Sequence, residues 1–124
     1  ASVKPWGVAM ALLEIPLRAE PSQALSLVLG GQDVTLRLFT RDMDDRPRLY
    51  CDLMASGVWV WRGRLCHNGQ GLKLYDYLPF EGDLVFVDMQ ADADPQWSGL
   101  GDRWRLVWGT DADWAALLAD KEEA

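Results

Sequence analysis

The chain has 124 residues, of which 49% are hydrophobic and 25% are charged, so one globular domain is expected and a largely disordered chain is not. Its net charge of −7 disfavours specific nucleic-acid binding, because an acidic surface repels the phosphate backbone. The apolar run at residues 8–13 is too short to span a membrane and lacks the flank of a secretion signal, so no membrane association is expected.

The N-terminal residues 1–14 are predicted to form an arm, because Pro5 and Gly7 interrupt the chain on either side of Trp6. From residue 15 to residue 109 the pattern is that of a β domain. Residues 24–29 and 34–40 alternate between apolar and polar side chains, and the glycine pair Gly30-Gly31 lies between them. Glycines tolerate the positive φ of a tight turn, so this segment predicts a hairpin.

Further strands are predicted at residues 48–54, 58–62, 84–89 and 102–109, with a long loop over 90–101. After the arm and the β domain, residues 110–124 are predicted to form a short C-terminal helix and tail. Thr110 is the predicted N-cap, and Asp111 and Asp113 complement the dipole of the first turn. The predicted fold is mainly β: a small antiparallel β-sandwich or partly open barrel, with the arm and the short helix.

Two of the strands are apolar on both faces, at residues 58–61 and 84–87. A strand that faces water on one side alternates, so both strands are expected to be covered on both faces. The sandwich core covers one face, and the C-terminal helix, the N-terminal arm or another subunit is expected to cover the other. Seven tryptophans strengthen this expectation, because each brings about 150–250 Å² to a buried contact. Trp104 and Trp108 share a face with Leu106 and are assigned to the core. The candidates for an interface are Trp6, Trp59, Trp61, Trp97 and Trp114, with Trp6 and Trp97 favoured, while packing of all seven within the chain stays open.

The sequence offers little chemistry. Cys66, His67 and Asn68 are adjacent, and neighbours in an extended segment point apart, so a nucleophile and its base are not brought together. Cys51, Cys66 and His67 match no zinc spacing. No catalytic residue, metal site or cofactor is therefore predicted, and a disulfide between the two cysteines stays open.

The acidic segment with Asp88, Asp92 and Asp94 does not fit a calcium loop, because Pro95 follows and no bidentate glutamate is suitably placed. A loop with local bonds from side chains to the backbone is expected instead. One other binding function fits the composition: a carbohydrate-binding β-sandwich module in which Trp59 and Trp61 form a platform for sugar rings.

The order of several short segments resembles the baseplate plug proteins of contractile-tailed phages, of the cyanophage type. The resemblance covers residues 15–109 and lies in their order and spacing. The matching pieces are Ile15-Pro16-Leu17, Gly31-Gln32 with Leu36-Arg37-Leu38, Tyr50-Cys51-Asp52-Leu53, Tyr77-Leu78, Gly82-Asp83-Leu84, Asp88, Asp94-Pro95, Leu100-Gly101 and Arg103-Trp104-Arg105-Leu106.

This resemblance implies a non-enzymatic virion component of the tail baseplate, assembled in the host cytoplasm. Such a plug is associated with the hub and helps to close the lumen of the tail tube before DNA ejection. The implied partners are hub and tail tube proteins, with the tape-measure protein as a further candidate, and the chain itself is expected to form a three- or six-fold ring. A small adaptor domain of a bacterial injection system is a third, open alternative.

Overall fold

The computed structural model describes residues 4–6, 9–43, 46–73 and 78–116. In these residues a 3₁₀ turn covers Trp97–Gly99, and residues 111–116 are helical. The strands are β1 (Lys4–Trp6), β2 (Ala9–Ile15), β3 (Ser22–Leu29), β4 (Gln32–Met43), β5 (Arg46–Ala55), β6 (Val58–Leu65), β7 (Asp83–Asp88) and β8 (Trp104–Gly109).

The strands form two antiparallel sheets. Sheet A has the order β1-β2-β8-β7, and sheet B has the order β3-β4-β5-β6. Sheet B follows the chain as a simple meander, whereas sheet A combines strands from both ends of the sequence. Of the two architectures that the sequence predicted, the sandwich is the observed one. The strand β2 spans the boundary predicted between residues 14 and 15, and it pairs directly with β8.

The predicted first hairpin is confirmed. Strands β3 and β4 pair in register from Ser22 with Phe39 to Leu29 with Gln32, so only two residues make the turn. Those residues are Gly30 and Gly31, whose φ angles are +57° and +78°. Both angles lie in the left-handed region, which a two-residue hairpin turn requires and which glycine enters without steric cost.

The core lies between the two sheets, because the alternating apolar residues of each sheet point toward the other. Trp104, Leu106 and Trp108 of β8 are all buried there, as predicted. Other core side chains are supplied by Ile15 of β2, Leu36 and Leu38 of β4, Cys51 and Leu53 of β5, and Leu84 and Phe86 of β7. A continuous apolar layer of this kind is what stabilises a β-sandwich.

The outward face of strand β6 is not covered by the described residues of the chain, so its cover by another subunit stays a prediction. Met54 pairs with Trp59 and Leu53 pairs with Trp61, so Val60 is an extra residue in β6. Such a bulge shifts the alternation by one residue. Val60 and Trp61 consequently both point inward and are buried, whereas Trp59 points outward and is 44% exposed. The apolar run reflects a bulge, and its outward face is open.

The outward face of sheet A is partly covered by the chain itself. Leu12 and Val107 are 1% and 0% exposed, and the C-terminal helix packs nearby, where the Trp114 indole donates to the Asp83 carbonyl at 3.3 Å. The predicted cap of this helix is confirmed, because the Asp113 amide donates to the Thr110 hydroxyl at 3.2 Å. No helix among the described residues is long and apolar enough to cross a membrane.

Candidate functional site

The outward face of sheet B carries a cluster of arginine and aromatic side chains. The pairing register of β4 with β5 aligns the side chains of this cluster in rows that run across the strands. Arg37 of β4 lies opposite Asp52 of β5, and Phe39 lies opposite Tyr50. Arg41, two residues beyond Phe39, occupies the same face of β4 because side chains alternate along a strand. We call the surface formed by these side chains and Arg62 of β6 the arginine–aromatic face.

The rings of this face are bracketed by guanidinium groups. Phe39 stacks on Tyr50 with the ring centroids 5.8 Å apart and an angle of 19° between the planes. The guanidinium carbons of Arg37 and Arg41 lie 5.5 and 5.1 Å from the Phe39 centroid. The neighbouring Trp59 ring carries Arg62 at 4.5 Å. These distances are within the range of cation–π attraction, so the contacts hold the arginine side chains over the sheet.

One buried carboxylate organises the centre of the face. The Asp52 side chain is only 6% exposed and lies 3.9 Å from the Arg37 guanidinium. Its other partner is the Gly63 amide, which donates to Asp52 at 2.6 Å. Gly63 has a φ of +65°, at a second irregularity in the pairing of β5 with β6. The bulge thus gives a buried carboxylate a hydrogen-bond donor, as a buried charge requires.

The arginine–aromatic face is shallow and open. A depression of about 480 Å³ is lined by the side chains of the face together with Gly63. The β3 residues that continue its rows, Ser22 and Ala24, have small side chains and leave the neighbouring surface flat. Exposed Val28, Val58 and Trp59 also belong to strands of sheet B. A shallow face of rigid aromatic and arginine groups is suited to contact with a macromolecule, since these residue types dominate protein interfaces.

The predicted interface tryptophans occupy different environments. Trp59 is exposed beside the arginine–aromatic face, whereas Trp61 is buried and packs edge-on against Phe80 at 6.0 Å. Trp97 and Trp114 are partly buried, and Trp97 packs against the core. The Trp6 side chain lies outside the described residues. An interface role for these tryptophans remains a prediction, which Trp59 fits best by exposure.

The carbohydrate platform would need Trp59 and Trp61 on one surface. The bulge at Val60 sends the two rings to opposite faces of β6, so they form no shared platform. The exposed ring of Trp59 also carries the Arg62 guanidinium on one of its faces. The structure therefore removes the geometric basis of this alternative.

The two cysteines are free thiols in the interior. Burial raises the pKa of Cys51 to about 12. Burial likewise raises the pKa of Cys66 well above its ordinary value. A thiolate is the reactive form of cysteine, so both side chains are unreactive packing groups in this fold.

The acidic segment after β7 is tied down by local bonds, as predicted. Asp88 accepts hydrogen bonds from the Gln90 and Ala93 amides. The Arg103 guanidinium also binds it in a bidentate manner, with one hydrogen bond of 2.9 Å to each carboxylate oxygen. The hydrogen bonds from Arg103, and to a smaller extent those from the amides, hold the pKa of Asp88 well below its usual range. The segment is thus an ordered loop.

Asp94 of the same loop contacts His67, with 3.2 Å between Nδ1 and the carboxylate, and accepts the Asn68 amide at 3.1 Å. Burial opposes ionisation of Asp94, but these two partners outweigh it and lower its pKa. Asp94 and His67 border a cleft of about 390 Å³. Among the residues that the structure describes, no group of three or more His, Cys, Asp or Glu side chains is placed to hold a metal ion.

The arginine–aromatic face was not predicted from the sequence. A signal for it exists in the alternation of β4, where Arg37, Phe39 and Arg41 recur at every second position. That spacing indicates one shared face, but it does not show that Tyr50 and Arg62 join the same face. The pairing register of β4, β5 and β6 provides this information.

Comparison with protein families gives a match over residues 12–111, most of the chain, to the family described as "Cyanophage baseplate Pam3 plug gp18". The matched range runs from β2 to the start of the C-terminal helix and so covers nearly the whole sandwich. No curated protein matches the chain. On the extent of the family match, the chain belongs to the cyanophage baseplate plug family.

Proposed function

We propose that this chain is a non-enzymatic structural subunit of a phage tail baseplate, assembled in the host cytoplasm, that sits at the hub and helps to close the tail tube before DNA ejection. The family match over residues 12–111 carries the proposal. The proposed partners are hub and tail tube proteins and the end of the tape-measure protein. Within the particle the chain forms a ring of three- or six-fold symmetry.

The two sheets support this role in different ways. Sheet A is backed by the chain's own helix, whereas sheet B presents the exposed arginine–aromatic face. A subunit that is built into a larger particle needs one face for its own stability and another for its neighbours. Exposed Trp59, which contacts Arg62, and the stacked pair of Phe39 and Tyr50 give sheet B the aromatic anchors that are enriched in protein interfaces.

The proposal is tested with particles assembled from genomes in which the gene for this chain carries an early stop codon. Mass spectrometry of purified wild-type tails should detect the chain, and its absence there would refute the baseplate role. Particles without the chain should release DNA prematurely, measured as fluorescence of a dye that particles exclude. If such particles retain their DNA like the wild type, the closure role is wrong while the baseplate location stands.

A further inference from the structure

The arginine–aromatic face is a basic area on an acidic chain. Among the residues that the structure describes, it contains three basic side chains, Arg37, Arg41 and Arg62, and one acidic side chain, Asp52. A face with a net charge of +2 on a chain of −7 leaves a net charge of −9 for all other residues. The face is therefore basic, although the composition of the chain alone shows only an acidic protein.

The single carboxylate of the face does not neutralise its arginines. Asp52 is buried, and it divides its oxygens between the Gly63 amide and Arg37. The Arg37 side chain remains 56% exposed, and Arg41 and Arg62 are exposed as well. An occupant of this face is therefore expected to supply carboxylates, since complementary charge decides which partners are accepted.

Two copies of this face do not fit each other. A two-fold contact places the same patch on both sides, so it would set arginines against arginines. Like charges brought together in an interface oppose association. The face thus needs a different surface as its complement, which is the arrangement called heterologous.

The chain itself contains such a surface on the loop between β7 and β8. Asp92, Asp94 and Asp102 of this loop are exposed. Its one basic residue, Arg103, is engaged by Asp88 through two hydrogen bonds. Because local hydrogen bonds order the loop, its carboxylates are presented with little loss of conformational freedom on binding.

We propose that the arginine–aromatic face of one subunit binds the β7–β8 loop of a second copy, so that the subunits associate head to tail. Repetition of a heterologous contact closes into a ring when the rotation between neighbours allows it. The inference rests on the ring in the proposed function and deepens it by naming the two surfaces that meet.

Sedimentation velocity of the purified chain at low and high salt tests the contact. Association is expected in dilute buffer and should weaken in about 0.5 M NaCl, where exposed charges are screened beyond a few ångströms. Arg62→Glu is expected to weaken association at least about tenfold, because it places a carboxylate against the acidic loop. Arg18→Glu makes the same change of charge at a 72% exposed arginine that is not part of the face, and it should associate like the wild type.

A mixing experiment separates head-to-tail contact from any two-fold contact. The face variant Arg62→Glu and the loop variant Asp92→Asn/Asp102→Asn, whose neutral loop does not attract the acidic variant face, should each be monomeric. Mixed in equal amounts, they retain one intact face and one intact loop between them, so they should form a dimer that grows no further. Circular dichroism of each variant checks that it is folded.

The inference is overturned if the wild type stays monomeric at low salt, or if the mixed variants do not associate. It is also overturned if Arg62→Glu abolishes binding of single-stranded oligo-dT without affecting self-association, since the face would then take nucleic acid. None of these outcomes depends on detecting the chain in purified tails. A failure of the contact is therefore distinguishable from a failure of the baseplate role.

Discussion

The bulge in β6 leads to a quantitative prediction about two tryptophans two positions apart. Trp61 is 9% exposed and packs on Phe80, so Trp61→Ala should lower the free energy of unfolding by about 3–5 kcal/mol, the usual cost of emptying such a core site. Trp59 is 44% exposed. Its replacement by alanine removes a contact with Arg62 of about 0.5–1 kcal/mol and some packing, for a total of about 1–2 kcal/mol.

Urea unfolding monitored by circular dichroism measures both values, with linear extrapolation to water. The two variants should differ by about 1–4 kcal/mol, and each 1 kcal/mol corresponds to roughly 3–5 °C in the melting temperature of a domain of this size. A domain has only about 5–15 kcal/mol of stability in total, so Trp61→Phe serves as a milder variant if Trp61→Ala does not fold.

Equal costs for Trp59→Ala and Trp61→Ala would refute the reasoning, because a strand without a bulge places both side chains on one face. Val60→Ala provides an independent check. Val60 is 6% exposed in the bulged strand, so its truncation should also destabilise, by about 1–3 kcal/mol. In an unbulged strand Val60 and Trp61 point to opposite faces, and one of them would tolerate substitution.

Three further measurements check other parts of the structure. Gly82→Ala should destabilise by more than about 2 kcal/mol in urea unfolding, because its φ of +86° disfavours a side chain and the added carbon meets a carbonyl of β8. Gly31→Ala, at φ +78° with open space around it, should cost only about 1 kcal/mol. Because the pKa of Asp88 is lower in the folded than in the unfolded chain, its ionisation stabilises the fold above the ordinary carboxyl pKa. This stabilisation is lost as the pH falls toward the folded-state pKa. Asp88→Asn should therefore flatten the fall in melting temperature below about pH 4. Ellman's reagent should find no reactive thiol in the folded chain and two in guanidinium chloride, and none in denaturant would refute the free state of Cys51 and Cys66.

The parts of the fold that sequence predicted well are those where local pattern and pairing agree. The hairpin of β3 and β4 alternates regularly and has two glycines at its turn, so hydrophobic burial and turn chemistry favour the same register. The core positions of Trp104, Leu106 and Trp108 follow from the same alternation. The Thr110 cap was also predictable, because its partner lies three residues away.

Strand β6 shows where the sequence was insufficient. A run of four apolar residues is compatible with a strand covered on both faces and equally with a bulged strand that has one face open. Only the pairing partners on β5 distinguish the two, since Met54 takes Trp59 while Leu53 takes Trp61. The strand at residues 9–15 escaped prediction for a related reason, because its register is set by β8, more than ninety residues away.

The distribution of charge could not be read from the net charge of the chain. A net charge of −7 excludes little about where a partner binds, because the field near a surface depends on the nearest charges. Alternation along β4 places Arg37 and Arg41 on one face of the sheet. On β6, Arg62 lies on the same face, next to the pairing irregularity at Gly63. The backbone features that open one face of sheet B to solvent are therefore also those that make it basic. An uncovered sheet face and an acidic chain are accounted for together if that face is covered by acidic residues of a neighbouring subunit.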